Sequence, residues 1–488
     1  MKIKFPGRSA ILIAILGALT LLLTSVNAVP IYHTKTRSVP RTVTIGSGKS
    51  GNKGPGKSQV VTTVVGGGGG GAANCGANGG ATDTGVTATS IKLGATVVRS
   101  GIGSSFLGGS PVAMQAVVDK VNQAGGICGR LLNLEMKDDG WQADRGVDYL
   151  RTLIAEGVFA LAVSPSSEGV DALIKGGDVD KEGIPLVGAD GMVKSEYLSK
   201  WVWPVATSTV ANMHIMVQQA WKRGLRTFGI VFDKDYHFGV EGAKAFNEEV
   251  KRLTKKDIPG FDPGLHGCQK TFCGIQSGQP SYPEVSGFND SCRQSNALSP
   301  NKGSYESCDL VALLLEPKTA LTWLANGGAH PGNGRTNGPQ PLFNADFAKS
   351  CGRECGGLVA WTSFNPPIAP YDDLPAVVDY KQTVRRRDAS LDTTNSFTEG
   401  SYLGMAILVE ALQRVGPHLT RSALKQVLDQ GSFDFGLAPA LQWRAGDHLG
   451  NGKMQAYKFQ YSGNSFIAFS LVSGFVKDTS LGKDLGGA

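Results

Sequence analysis

An α/β protein of two doubly wound lobes is the fold class this sequence predicts, on three observations. From Ser90 onward, short apolar runs alternate with segments whose apolar residues recur at helical spacing. Two of those runs, Val158–Val163 (VFALAV) and Leu310–Leu315 (LVALLL), are apolar throughout, as strands covered on both faces must be. The alternation halts at Trp201-Val202-Trp203-Pro204 and then restarts, which divides the chain into two such units.

The elements follow in order. Ser90 to Val98 reads as a strand, Pro111 to Gln123 as a helix, Leu131 to Met136 as a strand and Ala143 to Ala155 as a helix. Val158 to Val163 and Ile184 to Val187 are the next strands. After Pro204 come a helix at Val210 to Arg223, a strand at Thr227 to Phe232 and a helix at Gly239 to Leu253. The stretch between Lys255 and Asp309 is irregular, with four Cys and five Pro, and local disulfides are the expected reason for its order. Leu310 to Leu315 is a strand, Thr319 to Ala325 a helix and Leu358 to Trp361 a short strand. Helices at Glu399 to Val415 and Arg421 to Leu428 follow. Two strands flank Ser462-Gly463-Asn464 in Lys453 to Val476. Strand–helix alternation of this kind implies parallel sheets, and the helix-rich return before a strand-rich end suits a chain that revisits both lobes.

The residues before this pattern read differently. Lys2, Lys4 and Arg8 precede an apolar run from Ala10 to Thr24, and Val26-Asn27-Ala28 offers a small-residue cleavage site. Residues 1–28 are therefore read as an export signal, with an uncleaved anchor as the alternative. Residues 29–85 lack periodicity and hold six consecutive glycines, Gly66 to Gly71, so they are expected to form a flexible basic linker. The chain's net charge of +7 resides in these two segments: Lys35, Arg37, Arg41, Lys49, Lys53 and Lys57 oppose Asp83 alone, leaving the folded part close to neutral. That distribution argues against a nucleic-acid partner and allows at most a weak association of the tail with an anionic envelope. Gly51 to Ser58 (GNKGPGKS) fits a phosphate-loop pattern but lacks the strand before it and the helix after it that phosphate binding requires.

All eight cysteines lie beyond the signal. An even count in an exported chain favours disulfides. Proximity pairs Cys268 with Cys273, Cys292 with Cys308 and Cys351 with Cys355, leaving Cys75 for Cys128. Zinc is the competing reading, but no Cys-x2-Cys pair occurs and His266 is the one histidine near the cluster.

Five segments, in order, resemble the leucine/isoleucine/valine-binding family of type I periplasmic binding proteins. They are GVTATSIKLGATV (Gly85–Val97), VNQAGGICGRLLNLEMKDDGW (Val121–Trp141), FALAVSPSSEGVDAL (Phe159–Leu173), IPLVGADG (Ile184–Gly191) and TFGIVFDKDYHFGVEGAKAF (Thr227–Phe246). The resemblance implies two lobes joined by three crossings, with the ligand in the cleft. It places lobe 1 at 86–204, lobe 2 at 205–356, a return to lobe 1 at 357–440 and the last strands of lobe 2 at 441–488. It implies no cofactor, a monomer, a small-molecule ligand such as an amino acid or amide, and the permease of an ABC transporter as partner. Ligands of open α/β sheets bind beyond the carboxyl ends of strands, and the candidate positions lie there. Phe106 sits in the loop after the first strand, either as a ligand contact or as a plain loop aromatic. Ser166 and Ser167 open a helix whose free N–H groups suit a carboxylate, or simply cap it. Ala189 and Asp190 follow a strand; Asp190 holds an ammonium or amide, or caps a turn. Gly191 stands where the family has a Thr, which puts the branched-chain preference in doubt. Phe238, in the family's Tyr-Gly position, covers the apolar part of the ligand. Glu316, or Asp346 beside Asn344, is the candidate acid for a ligand ammonium, because an unpaired buried charge is prohibitive; the alternative for both is a solvated charge at the rim.

Two other function classes fit the sequence less well. A sensor on the same fold needs an output domain or a partner, and no second apolar run is long enough to span a bilayer. An exported hydrolase is disfavoured by the absence of both a G-x-S-x-G elbow and an H-E-x-x-H helix. The sequence thus reads as a non-catalytic receptor, exported to the periplasm, cell surface or medium.

Overall fold

A computed structural model describes residues 75–480, except 263, 265–266, 298–307, 329–333 and 451. The export signal, the phosphate-loop-like Gly51–Ser58, most of the linker and His266 lie outside the described residues. Among the described residues no helix is long and apolar enough to cross a membrane.

Lobe 1 is built on a five-stranded, all-parallel sheet in the order β2-β1-β3-β4-β5. Its strands are β1 (Ser90–Val97), β2 (Leu131–Asp138), β3 (Ala160–Ala162), β4 (Leu186–Val187) and β5 (Val202–Trp203). Between them run α1 (Ser104–Leu107), α2 (Ser110–Gln123), α3 (Ala143–Ala155), α4 (Ser167–Lys175), α5 (Asp178–Glu182) and α6 (Lys194–Leu198). Alternate residues of the central strands face opposite sides: Ala160 and Ala162 join the core under α2, and Leu161 joins the core under α3 and α4.

Lobe 2 opens with α7 (Thr209–Lys222), β6 (Phe228–Asp233), α8 (His237–Thr254), β7 (Cys268–Gln269), β8 (Phe272–Ile275) and α9 (Tyr282–Ala297). It continues with β9 (Leu310–Leu314), α10 (Pro317–Ala325), β10 (Thr336–Gly338), α11 (Ala345–Cys351) and β11 (Val359–Thr362). The chain then returns to lobe 1 as α12 (Pro375–Arg387), α13 (Ser396–Val415), α14 (Arg421–Gln430) and the short pair β12 (Ser432–Phe433) and β13 (Leu441–Gln442). It ends in lobe 2 as β14 (Lys453–Ser462) and β15 (Ser465–Lys477). The eight-stranded sheet runs β15-β14-β11-β10-β9-β6-β8-β7, with antiparallel pairing only where β7, β14 and β15 join. β9 shows why its sequence is apolar throughout: Leu310, Ala312 and Leu314 pack toward α7 and α8, Val311 and Leu313 toward α9, α10 and α11. Both lobes are therefore doubly wound.

Four expectations need correction. Residues 75–85 are folded, not linker. Cys75 is bonded to Cys128, the buried Arg130 donates to the carbonyls of Asn78 and Gly80, and Arg421 N donates to Asp83 at 2.7 Å. The irregular stretch contains a sheet strand, β8, parallel to β6, and the helix α9. Among its described side chains that helix buries Val285, Phe288 and Cys292, an i, i+3, i+7 stripe too thin to stand out among Ser, Asn and Gly. The return to lobe 1 begins after β11, not at 357, because β11 pairs with β10 in the lobe 2 sheet. The last crossing follows Trp443, not 440, because Leu441 and Trp443 remain in the lobe 1 core. The eight cysteines form the four expected pairs.

The three crossings are tied to one another. Thr207 N donates to Ser363 Oγ at 2.9 Å, Thr207 Oγ1 to Lys453 O at 2.9 Å and Trp443 Nε1 to Pro204 O at 3.2 Å.

Candidate ligand-binding cleft

The carboxyl ends of both parallel sheets meet between the lobes, and the turns that leave them line the cleft. The turn from β3 into α4 is the most unusual. Val163 and Ser164 adopt φ of 56° and 47°, left-handed values that a β-branched residue almost never takes. The turn delivers Ser166 to the cap position of α4, wholly buried, with no side-chain capping bond and no partner for its hydroxyl. Ser167 Oγ accepts from Trp141 Nε1 at 3.2 Å. Asp139 lies beside Ser166: burial pushes its carboxyl up to about 6, against the opposing pull of the Ser166 hydroxyl, although neither Ser166 Oγ nor Asp139 Oδ2 has a well-formed hydrogen bond.

Aromatic rings from both lobes fill the centre. Phe106 meets Trp141 and Phe397 edge-on, each at 5.2 Å between centroids. Trp141 stacks on Tyr236 of lobe 2 at 3.9 Å and lies 5.6 Å from Phe238. Two voids lie among them, one beside Phe238 and Asn212 and one beside Phe364 and Ser401, each about the size of a single water. Asp190 borders both. Its Oδ1 accepts from Met192 N at 3.0 Å, while Oδ2 has no partner. Burial pushes Asp190 up to about 7 and its neighbour Glu196 well above the usual carboxylate range. Ala189 is fully buried and offers its carbonyl to Val205 N at 3.0 Å.

The lobe 2 acids behave differently from expectation. Glu316 does not reach into the cleft. It caps α10, accepting from Lys318 N at 2.7 Å and Thr319 N at 2.5 Å and bonding the Thr319 hydroxyl. Asn344 caps α11 through Phe347 N at 2.6 Å. Asp346 is on the surface, 67% exposed and paired with Lys349 at 3.2 Å, the solvated rim charge that was its alternative reading. The structure thus gathers Phe106, Ser166, Ser167, Ala189, Asp190 and Phe238 at the cleft and leaves Glu316, Asn344 and Asp346 in other roles.

Sequence reasoning missed Trp141, Tyr236, Phe397, Asn212 and Glu196. The signal for the first two was present, since each follows a strand end by a few residues, where cleft side chains must originate. It also missed a latch at the rim. His237 N and Nδ1 meet Glu168 at 2.9 and 2.6 Å across the cleft, with Asp171 3.5 Å from Nε2. Lys194 N donates to Glu241 at 2.7 Å beside it.

Two lobes, three crossings and a cleft lined at the strand ends define a clamshell architecture. Residues 90–262 match the family model described as periplasmic binding protein, and the chain has the type I periplasmic binding protein fold. Solved structures extend the likeness. A possible leucine/isoleucine/valine-binding protein from Rhodopirellula baltica is 18% identical with a TM-score of 0.62, over 78% of this chain and 96% of that one. A fatty acid ABC transporter substrate-binding protein from Thermomonospora curvata is 17% identical with a TM-score of 0.64, over 82% and 95%. An ABC transporter solute-binding protein from R. palustris in complex with benzoate is 16% identical with a TM-score of 0.59, over 80% and 98%. No curated protein matches the sequence.

Proposed function

We propose that this protein is a non-catalytic, extracytoplasmic solute-binding receptor that passes a small carboxylate-bearing ligand, an amino acid or a related amide, to the permease of an ABC importer. The observation that carries the reading is Ser166: a buried hydroxyl without a partner, at the N-terminus of a nine-residue helix, inside a closed cleft. A buried hydroxyl left unsatisfied costs free energy, and a carboxylate would satisfy it together with the N–H groups of α4. The ligands that the similar structures' descriptions name, branched-chain amino acids, a fatty acid and benzoate, share a carboxylate on an apolar body, which suits the aromatic walls here. The unpartnered Oδ2 of Asp190 is the acceptor for an ammonium or amide, in place of Glu316 and Asp346. Calorimetry with a panel of amino acids, their amides and benzoate tests the reading. Stoichiometric binding of a carboxylate is expected, and none across the panel, with no small molecule in native mass spectra of purified protein, would overturn it.

A further inference from the structure

The centre of the closed cleft is filled by the chain's own indole. Trp141 follows Asp138-Asp139-Gly140 at the end of β2, wholly buried. Its backbone N–H is held by Asp139 Oδ1 at 2.8 Å, and its φ of 64° is left-handed, a conformation in which a bulky side chain is strained. Gly140 before it has the same φ of 64°. The opposing loop makes room for the ring: a Cβ at Gly103 would come within 3.0 Å of the indole. The ring lies flat on Tyr236 at an interplanar angle of 12°, so a lobe 1 residue supplies the stacked contact to lobe 2. Its single donor ends on Ser167, next to the unpartnered Ser166.

We propose that Trp141 is a tethered stand-in for the ligand: its indole holds the lobes closed on themselves until a flat, ring-sized carboxylate displaces it from between Tyr236 and Phe106. The proposal deepens the receptor reading above and rests on it for the carboxylate. Three features support displacement over a fixed wall. With the indole in place the voids beside Phe238 and beside Phe364 are each about one water in size, too small for any solute with a ring. The indole N–H engages the turn whose other hydroxyl is unsatisfied, so ring and donor together occupy the site an anionic aromatic ligand would use. Trp141 also keeps a left-handed φ that a bulky residue holds only while its surroundings impose it. A competitor built into the chain lowers apparent affinity by the fraction of molecules it occupies, and it selects ligands that stack as well as it does.

The test uses indole-3-acetate, which joins an indole to a carboxylate, and neutral indole as its control. Trp141→Ala should bind indole-3-acetate at least about tenfold more tightly than the unaltered protein. Adding Ser166→Ala should remove most of that gain while leaving indole unaffected. Without any added ligand, small-angle scattering of Trp141→Ala should show a larger radius of gyration, because the stack that joins the lobes is gone. Trp141→Phe, which keeps a ring in the core but loses the N–H, guards against misfolding and should show a smaller change in the same direction. Scattering unchanged in both variants, with no gain in affinity for either compound, overturns the proposal. Equal gains for indole and indole-3-acetate that ignore Ser166→Ala would uphold displacement and sink the carboxylate reading instead.

Discussion

Two equivalent turns, one in each lobe, differ in a way that separates holding a helix from holding a ligand. The turn from β9 into α10 closes its helix with Glu316, whose carboxylate takes two backbone N–H groups and a hydroxyl. The turn from β3 into α4 leaves Ser166 in the same cap position with no bond made and two strained residues before it. Both helices follow a buried parallel strand, and both caps are buried. A helix whose cap is satisfied from within has little left to offer a ligand, whereas one left unsatisfied keeps its N–H groups in reserve.

The contrast is sharpest under substitution. Ser166→Ala is expected to weaken binding of the carboxylate by about 1.5–3 kcal/mol, ten- to about a hundredfold, since a bond to a charged group is lost. The same change should leave stability within about 0.5 kcal/mol, because no capping bond exists to lose. Calorimetry and urea denaturation on one preparation report both quantities. Lowered stability with unchanged affinity would make Ser166 an ordinary cap and erase the distinction. Glu316→Ala should do the reverse, costing about 0.5–2 kcal/mol of stability with affinity retained, as read by the same pair of measurements.

A smaller effect concerns pH. His237, at the start of α8, meets Glu168 and Asp171 on α4 across the cleft, with Lys175 further along α4 and Glu241 one turn on in its own helix. Its bond to Glu168 raises its pKa, so closure is favoured while the imidazole is protonated and loses that support as pH rises through the raised value. Asp190 acts in the same sense: raised from 3.8 to about 7, it gives up its contribution between about pH 4 and 7. Scattering should therefore show more closed protein at pH 5 than at pH 8.5. His237→Gln should flatten that dependence; because the imidazole is half-exposed, the expected share is about two- to fivefold in the closed-to-open ratio. A profile that closes as pH rises would contradict the latch. The smallest expectation is for Asp346→Ala, an exposed partner of Lys349, which should change stability and affinity by less than about 0.5 kcal/mol.

Where burial is two-sided, the sequence was a good guide. β6, β9 and α3 were legible because uninterrupted apolar runs and helical spacing leave few alternatives. α12 was missed: its buried face, Val377, Tyr380 and Val384, is interrupted by charge, and its end carries three arginines. The third crossing was placed early because Leu441 and Trp443 look the same whichever core they enter. Glu316 is ambiguous in the sequence for a different reason. An acid before Pro317 at the end of a strand is a cap signal as much as a ligand signal, and only the bonds to Lys318 and Thr319 decide between them. Trp141 stood in the quoted Asp-Asp-Gly-Trp segment, but nothing in one chain's sequence says that its ring crosses to the other lobe.

The bond between Cys75 and Cys128 also fixes where mechanical load can enter. Arg130, two residues along, grips the carbonyls of Asn78, Gly80 and Thr87, and Asp83 is held by the first residue of α14. A pull applied at residue 75 is therefore taken up by a covalent link and a buried guanidinium, both on lobe 1. None of these bonds touches the crossings at Thr207, Ser363 or Lys453. Tension there would load lobe 1 as one block and leave the hinge bonds unstrained.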